Sequence, residues 1–393
     1  MQKYERILSS IREGTRLFEM IPRGFKPEDM KKAVIEALDP YFENKDALKH
    51  FAIILIPESI ILTKLRRNPL FLDSVQNCLS IYRSARIRSS QSCFDSFAWW
   101  QPQVIQSLSE FWTVLHLEVD KSTLETKEFL HECLRNIGDI IEGLTKPYLK
   151  IIFHQLKIAD GSEVSPENVD SMRLGRIINE LIERSTLDRL LTLPPWNIRL
   201  NHWRNIAYHH SARIQNSEIV CWYGKSPYIK EIKLSRDEFV QAVQAIFDVL
   251  CSLKLAHTLF YVDNATNIDS ISSSAYRELD EAGFVNFATA LASQGFEILE
   301  LSKTQDEARV VVRDLSNLKP DIRRFHASQF LFPLWLLTES KILMLEYREK
   351  DNTPSLLVST VSDICEKVYN SELEMLDLAK TMNIVDLKAK KVS

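Results

Sequence analysis

The sequence predicts a mainly α-helical protein, and two observations indicate this class. Glycine supplies only 9 of the 393 residues, about a third of its usual ~7% share, so loops that depend on glycine are few. In the middle of the chain, apolar residues recur at intervals of three and four, which is the period of an amphipathic helix. The composition, 45% apolar and 26% charged, is that of a globular protein and not of a disordered one.

Three segments are predicted along the chain. Residues 1–118 form a helical N-terminal region, residues 119–264 a central helical domain, and residues 275–393 a smaller α+β domain of unknown role. The serine-rich stretch 269–274 separates the last two segments, because small polar residues are typical of linkers. In the last segment, strands are expected at 297–301, 308–312, 341–347 and 355–361, and helices at 284–292, 321–337 and 362–381.

The central segment is predicted to contain three helices, a β-hairpin and a fourth helix. Pro147 is expected to bend or divide the first of these helices, since proline has no backbone N–H. A four-helix bundle with an inserted hairpin buries the apolar stripes of such a segment. The expected ranges are 124–156, 174–182 and 198–214 for the three helices, 218–223 and 228–234 for the strands, and 235–260 for the last helix.

Charge and cysteine usage restrict the function classes. The net charge of −4 gives no overall attraction to nucleic acid or to an anionic membrane, so any such contact needs a local basic patch. The six cysteines include no closely spaced pair, which predicts reduced thiols and neither a metal site nor a cofactor. Two basic clusters are either solvated helix faces or phosphate-contacting faces: Lys64, Arg66 and Arg67, and then Arg83, Arg86 and Arg88.

No targeting or membrane segment is predicted. The N-terminus lacks the apolar stretch of a signal peptide. The longest apolar runs fall short of the ~20 residues that a membrane span needs. These observations predict a soluble, cytoplasmic protein.

One segment, 201–211, concentrates polar chemistry on a predicted helix. Asn201, Asn205 and His209 are four residues apart and are expected to share a face, with Arg204 and Tyr208 in the adjoining row. Imidazole moves protons near neutral pH, and guanidinium binds phosphate bidentately. The pair therefore suits phosphodiester chemistry. The opposite side is expected to anchor the helix through Leu200, Trp203 and Ala207.

The run Arg204-Asn205-Ile206-Ala207-Tyr208-His209 resembles the RNxxxH signature of the HEPN family. HEPN domains are helical bundles with this signature on a late helix, which matches its position in the segment 119–264. His210 directly after the motif and the following Arg213 are similar to the abortive-infection branch of that family. The resemblance covers only this central segment.

The resemblance implies a metal-independent endoribonuclease whose composite site forms where two HEPN domains dimerise. His209 is then the general acid/base on the ribose 2′-hydroxyl, and Arg204 holds the scissile phosphate. Asn205 orients the histidine or the helix end, and the supporting residues are Tyr208, His210 and Asn201. On an ideal helix Arg204 and His209 lie ~140° apart, so the reach of arginine, a local kink or a second subunit must bring them together.

The implied partners are an RNA substrate, a second copy of the chain and a regulatory protein or antitoxin. A toxin-like effector of antiviral defence is the implied setting. Members controlled by AMP transfer carry tyrosine two positions after the motif histidine, where this chain has Ser211. That mode of control is therefore not expected. Two alternatives remain at this point: a non-catalytic HEPN module that binds RNA or a protein, and an ordinary bundle in which Arg204 and His209 are structural.

Overall fold

The computed structural model describes residues 27–52, 54–116, 124–269, 271, 280–316, 320–370, 372–373 and 375–388. Over these residues the protein is mainly helical, which confirms the predicted class. The described residues form two compact units. The bundle unit contains residues of 37–51 and 57–271, and the sheet unit contains residues of 27–36, 52–56 and 280–388.

The bundle unit is built from helices and two small sheets. The first described helix of the chain, α1 (Pro27–Leu38), lies mostly in the sheet unit. The bundle helices are α2 (Lys45–Phe51), α3 (Ile56–Leu65), α4 (Pro69–Arg88), α5 (Ser90–His116), α6 (Thr126–Gly138), α7 (Lys146–Ala159), α8 (Pro166–Ser171), α9 (Leu174–Arg184), α10 (Asp188–Leu191), α11 (Leu200–Tyr208), α12 (Arg236–Asp263) and α13 (Ala265–Asp269), with a 3-10 turn at Asp39–Tyr41 and a π-helix at Asp139–Thr145. The strands are β1 (Thr192–Leu193), β2 (Ile198–Arg199), β3 (Ala212–Gln215), β4 (Glu218–Tyr223) and β5 (Lys230–Leu234).

The described helices on both sides of the predicted division at 118/119 belong to one unit, although that division itself lies outside the described residues. These helices form one unit and not two because they share one hydrophobic core. Tyr82 of α4 and Phe97 of α5 pack against Phe260 of α12, with ring centroids 4.9–5.3 Å apart. Lys254 of α12 also forms a buried ion pair with Glu58 of α3, at 2.9 Å. The apolar stripes of the two predicted segments are therefore buried against each other.

The first predicted helix of the central segment is continuous from Thr126 to Ala159, and Pro147 does not divide it. A π-helical stretch precedes the proline instead. The N–H of Lys146 bonds to the carbonyl of Ile141, and the Thr145 hydroxyl donates to the Ile140 carbonyl at 2.7 Å. The missing N–H of proline is thus accommodated by widening one turn, which is a common use of π-helical geometry.

The third predicted helix is shorter than expected, because α11 spans only Leu200–Tyr208 and not 198–214. Before it, β2 pairs with β1 in the register Thr192↔Arg199. After it, β3 pairs with β4 through a two-residue turn at Asn216 and Ser217, both with positive φ. Such a turn matches the twist of a tight hairpin. The segment predicted as one hairpin is therefore a three-stranded antiparallel sheet in the order β3-β4-β5.

Helix α12 begins at a capping box, in which the Ser235 and Glu238 side chains each accept a hydrogen bond from the other residue's backbone N–H. Among the described residues, α12 is the one helix long and apolar enough to cross a membrane by length and composition. Of its most apolar window, 67% is buried inside the protein. This burial is typical of the core helix of a soluble protein.

The sheet unit has the predicted α+β composition. Its five strands lie in the order β10-β9-β8-β7-β6, and all neighbours are antiparallel except the parallel pair β7 and β8. Beneath this sheet a buried Arg323 donates to Asp314, which also accepts from the Tyr347 hydroxyl at 2.9 Å. Its elements are α14 (Asp280–Ser293), β6 (Phe296–Lys303), β7 (Glu307–Asp314), α15 (Pro320–Ser328), α16 (Leu331–Thr338), β8 (Ile342–Arg348), β9 (Pro354–Val361), α17 (Ser362–Tyr369), α18 (Met375–Thr381) and β10 (Asn383–Asp386).

Trp203 anchors α11 as the sequence predicts. Its ring is fully buried and lies edge-on to Trp196 and near Phe239, with centroids 5.9 and 6.4 Å away. Trp203→Ala should lower the free energy of unfolding by ~3–5 kcal/mol, because the cavity it leaves is only partly refilled. Chemical denaturation followed by circular dichroism measures this change. Ile87→Ala is the control, since Ile87 is 82% exposed, and a destabilisation by Trp203→Ala no larger than that by the control would contradict the burial of the ring.

Candidate functional site

The motif helix α11 ends inside the RNxxxH segment, between Arg204 and His209. His210 adopts a left-handed conformation with φ of 47°. The N–H of Ser211 bonds to the carbonyl of Ile206 at 2.9 Å, and the N–H of His210 bonds to that of Ala207 at 3.3 Å. This pair of hydrogen bonds is a Schellman ending, in which glycine usually takes the left-handed position. His209 is therefore the residue that caps the helix and not a member of a continuing helical face.

Arg204 is held by a carboxylate that the sequence does not point to. Its Nε donates to Oε1 of Glu142 at 2.6 Å, and Lys146 donates to the other carboxylate oxygen at 3.1 Å. Glu142 lies in the π-helical stretch of the long helix, 62 residues before Arg204. Its side chain is 15% exposed, and that of Arg204 is 33% exposed. The guanidinium is thus half-buried and fixed at one edge.

Glu180 and Glu183 are acidic residues of α9, and neither pairs with Arg204 among the described residues. Glu180 instead accepts from Lys157 at 2.6 Å and from Arg176 at 3.0 Å. No spacing in the sequence links Glu142 to Arg204. The one indirect signal is the proline shortly after Glu142, because a proline inside a long helix changes the hydrogen-bonding register before it.

Two neighbours within the motif complete the surroundings of Arg204. Its Nη1 donates to Oδ1 of Asn205 at 3.2 Å, and its guanidinium carbon lies 4.6 Å from the ring centroid of Tyr208. The Tyr208 ring is 52% exposed and covers Gly138, where an added Cβ would lie 3.6 Å from it. Asn205 and Tyr208 therefore orient the arginine. The Asn205 amide was expected to orient the histidine or the helix end, and only its backbone carbonyl does so, accepting from the N–H of His209.

The ion pair also sets the charge of Glu142. Burial raises the pKa of this carboxyl, but hydrogen bonds from Lys146 and Arg204 outweigh that effect and leave the pKa below its usual value. The carboxylate is therefore ionised at neutral pH. Since a lowered folded-state pKa stabilises the protein above it, this contribution is lost as the pH falls through the acidic range.

The two histidines after the helix differ in their surroundings. His209 is exposed, and no described residue hydrogen-bonds to its imidazole. His210 stacks on His131 of α6, with ring centroids 5.8 Å apart and planes 12° apart. His131 itself lines a shallow groove of about 360 Å³ at the start of α6, together with Leu124, Lys127, Glu128 and Glu132. His209 is thus the imidazole that solvent or a ligand can reach without displacing a partner.

Asn201 does not join this group. Its amide lies beside Gly175 at the start of α9, where an added Cβ would be 3.5 Å from Nδ2. Its Oδ1 is buried and has no hydrogen-bond partner among the described residues. Asn201 and Asn205 lie one turn apart on α11, and His209, the residue that caps the helix, donates its N–H to the Asn205 carbonyl at 3.0 Å.

Part of the N-terminal basic clusters is neutralised within the bundle unit. Arg83 pairs with Glu43 at 3.0 Å, and Arg86 bonds both to Glu43 and to Asn264, the latter at 2.9 Å. These contacts favour a structural role for that pair of arginines. In the part of the chain that the structure describes, no group of three or more His, Cys, Asp or Glu side chains is arranged to hold a metal ion.

Comparison with known proteins identifies no relative: no family model, no curated protein and no solved structure matches this chain.

Replacing Arg204 tests the ion pair directly. Arg204→Met removes the Nε hydrogen bond and the positive charge beside Glu142 but keeps much of the side-chain volume, so the pKa of Glu142 should rise. Titration of the glutamate carboxyl carbons by NMR measures this shift. Arg176→Met is the matched control, because Arg176 pairs with Glu180. An unchanged Glu142 titration in Arg204→Met would show that the pair does not form in solution.

Proposed function

We propose that the protein is a metal-independent endoribonuclease of the HEPN type. The observation that carries this proposal is the complete motif Arg204-Asn205-Ile206-Ala207-Tyr208-His209 at the end of a helix, with an oriented guanidinium and an unpartnered imidazole. By resemblance, the biological setting is a toxin-like effector of antiviral defence. A regulatory protein or antitoxin belongs to the same proposal.

The proposed reaction divides the work between the two side chains. An imidazole nitrogen of His209 takes the proton of a ribose 2′-hydroxyl, and the 2′-oxygen attacks the adjacent phosphorus. The bond from phosphorus to the 5′-oxygen breaks, and a protonated imidazole supplies the proton that this oxygen takes up. The products are a 2′,3′-cyclic phosphate and a 5′-hydroxyl. Arg204 stabilises the negative charge that develops on the phosphoryl oxygens.

The environment of Arg204 supports this role. Glu142 and Asn205 occupy Nε and Nη1, while Nη2 has no hydrogen-bond partner among the described residues. An arginine fixed at one edge can present its other edge to a phosphate with little loss of conformational entropy. Glu142 is then a positioning residue, which acts through the arginine.

The second candidate function is a non-catalytic HEPN module that binds RNA or a partner protein. The observation that favours it is the same ion pair, because a guanidinium already neutralised by Glu142 attracts a phosphate less strongly. The two functions predict different outcomes for bound RNA, because a ribonuclease cleaves it and a binding module leaves it intact.

Purified protein should cut total RNA in excess EDTA, because the proposed acid and base and the group that stabilises the phosphate charge are all side chains.

His209→Ala should abolish cleavage and change the free energy of unfolding by only about 0.5 kcal/mol, as is usual for an exposed side chain. Arg204→Lys should slow single-turnover cleavage, since it keeps the charge and loses the planar fork. Gel analysis measures cleavage and its single-turnover rate. End-group mapping identifies the 2′,3′-cyclic phosphate and 5′-hydroxyl ends, and thermal melting measures the stability of each variant.

His50→Ala is the matched histidine control, because His50 is exposed like His209 and lies on α2, outside the motif helix and its neighbours. Cleavage that disappears in EDTA and returns with a divalent ion would reject the metal-independent mechanism. Wild-type rates in His209→Ala would reject the assignment of the histidine, and intact RNA with retained binding would favour the interaction module.

A homodimer is the expected active form, because the chain carries one RNxxxH motif and the implied site needs two facing copies. The specific activity should therefore fall on dilution below the dissociation constant of the dimer. Analytical ultracentrifugation and cleavage assays over the same concentration range measure this. A monomer whose specific activity does not change with dilution would contradict the composite site.

A further inference from the structure

The three-stranded sheet that follows the motif helix is locally basic. Residues 212–234, which form the sheet and its turns, contain four lysines and arginines and two acidic residues, in a chain whose net charge is −4. Aromatic side chains are interleaved with these cations. The sequence therefore places a local basic patch next to the candidate site, which is the kind of patch that nucleic-acid contact requires in an acidic protein.

The strand register assigns part of this patch to one face of the sheet. Arg213 is opposite Val220, and Val220 is opposite Lys233, while Trp222 lies two residues along the same strand. Because side chains alternate between faces, Arg213, Trp222 and Lys233 share one face. Glu231 is opposite Trp222 on the same face, and its carboxylate accepts from the Trp222 indole N–H at 2.9 Å. The Arg213 guanidinium lies 4.8 Å from the Trp222 ring centroid, as a cation–π pair.

The turn between β4 and β5 continues the patch. Residues 224–230 are all exposed, and within them Tyr228 is 80% exposed. Lys225 and Lys233 are exposed and have no ion-pair partner among the described residues. An exposed tyrosine beside unpaired lysines is poorly suited to an apolar protein interface, since charged side chains are depleted from the cores of such interfaces.

A backbone contact joins the sheet to the helix end. The N–H of Trp222 donates to the carbonyl of Ser211 at 2.9 Å, and Ala212 is opposite Cys221. Ser211 is only two residues after His209. The end of the sheet at Ser211 and Trp222 is therefore the end that lies nearest to His209 along the chain.

We propose that Arg213, Trp222, Lys225, Tyr228 and Lys233, the sheet surface, bind single-stranded RNA and lead it to His209. Bases stack on the exposed ring of Tyr228 and the half-buried ring of Trp222, and the cations pair with phosphates without reading sequence. A single strand is the expected form because its bases offer open faces, whereas those of a duplex are already stacked. The choice of RNA rests on the proposed function.

Binding is measured by fluorescence anisotropy with a labelled 12-nucleotide single-stranded RNA, using the full chain in the His209→Ala background so that the RNA stays intact. Tyr228→Ala should raise the Kd by about 5- to 150-fold, which is the range for the removal of one base–aromatic stack. The double variant Lys225→Ser/Lys233→Ser should reduce the slope of log K against log salt by about 1.4, or ~0.7 for each single-strand phosphate that is no longer neutralised.

Lys31→Ser/Arg189→Ser is the charge-matched control, because both residues are exposed and lie on α1 and α10, outside the three-stranded sheet and both basic clusters. It should leave the salt slope unchanged, and thermal melting should show that all variants are folded. Unchanged binding in Tyr228→Ala and in the double lysine variant would overturn the proposal. Equal binding of a duplex of the same sequence, or capture of a protein in place of any RNA, would also overturn it.

Cleavage assays separate this proposal from the proposed function. In a cleaving protein, the sheet variants should raise KM and leave kcat nearly unchanged, since they remove contacts made equally in the ground and transition states. If the intact chain binds RNA through Tyr228 but never cuts it, the RNA-binding role of the sheet surface is supported and the nuclease assignment is rejected. If it cuts RNA and the sheet variants bind RNA normally, only the RNA-binding role of the sheet surface is rejected.

Discussion

The ion pair between Arg204 and Glu142 is the contact on which the organisation of the candidate site depends. It ties a helix of nine residues, α11, to the long helix of the bundle, and it fixes one edge of the guanidinium. Glu142 sits in the π-helical turn that precedes Pro147. Since π-helical turns inside α-helices are frequently found at functional sites, a backbone constraint imposed by one proline and the orientation of the arginine belong to the same local structure.

The end of α11 carries the second constraint. His210 takes the left-handed position that glycine usually fills, at a conformational cost of roughly 1–2 kcal/mol. Two backbone hydrogen bonds and the stack on His131 hold it there. The chain consequently turns from helix to strand within a few residues. This turn leaves His209 exposed and starts the three-stranded sheet beside it, so the imidazole and the basic aromatic surface are neighbours.

Much of the helical organisation was predictable, because long apolar stripes have a strong period. The class, the helix predicted at 174–182 and found at Leu174–Arg184, and the burial of Trp203 follow from that pattern. The end of α11 was not predictable from it. Residues 208–214 contain no glycine or proline to end the helix, and the local hydrogen bonds that stop it at Tyr208 have no periodic signal. The predicted division between the segments 1–118 and 119–264 did not anticipate their shared core. The apolar stripe of one helix does not indicate which other helix packs against it.

For the site, the sequence by itself determined the local set: an arginine, an asparagine and a histidine at fixed spacing, on a helix anchored by Trp203. Only the tertiary structure decided how these groups are presented. Glu142 is 62 residues away and reaches Arg204 because two helices pack together, and Asn201 is turned to α9 by the same packing. Spacing along a chain encodes which residues share a helix face, whereas contacts between elements depend on how buried surfaces fit, which no single segment specifies.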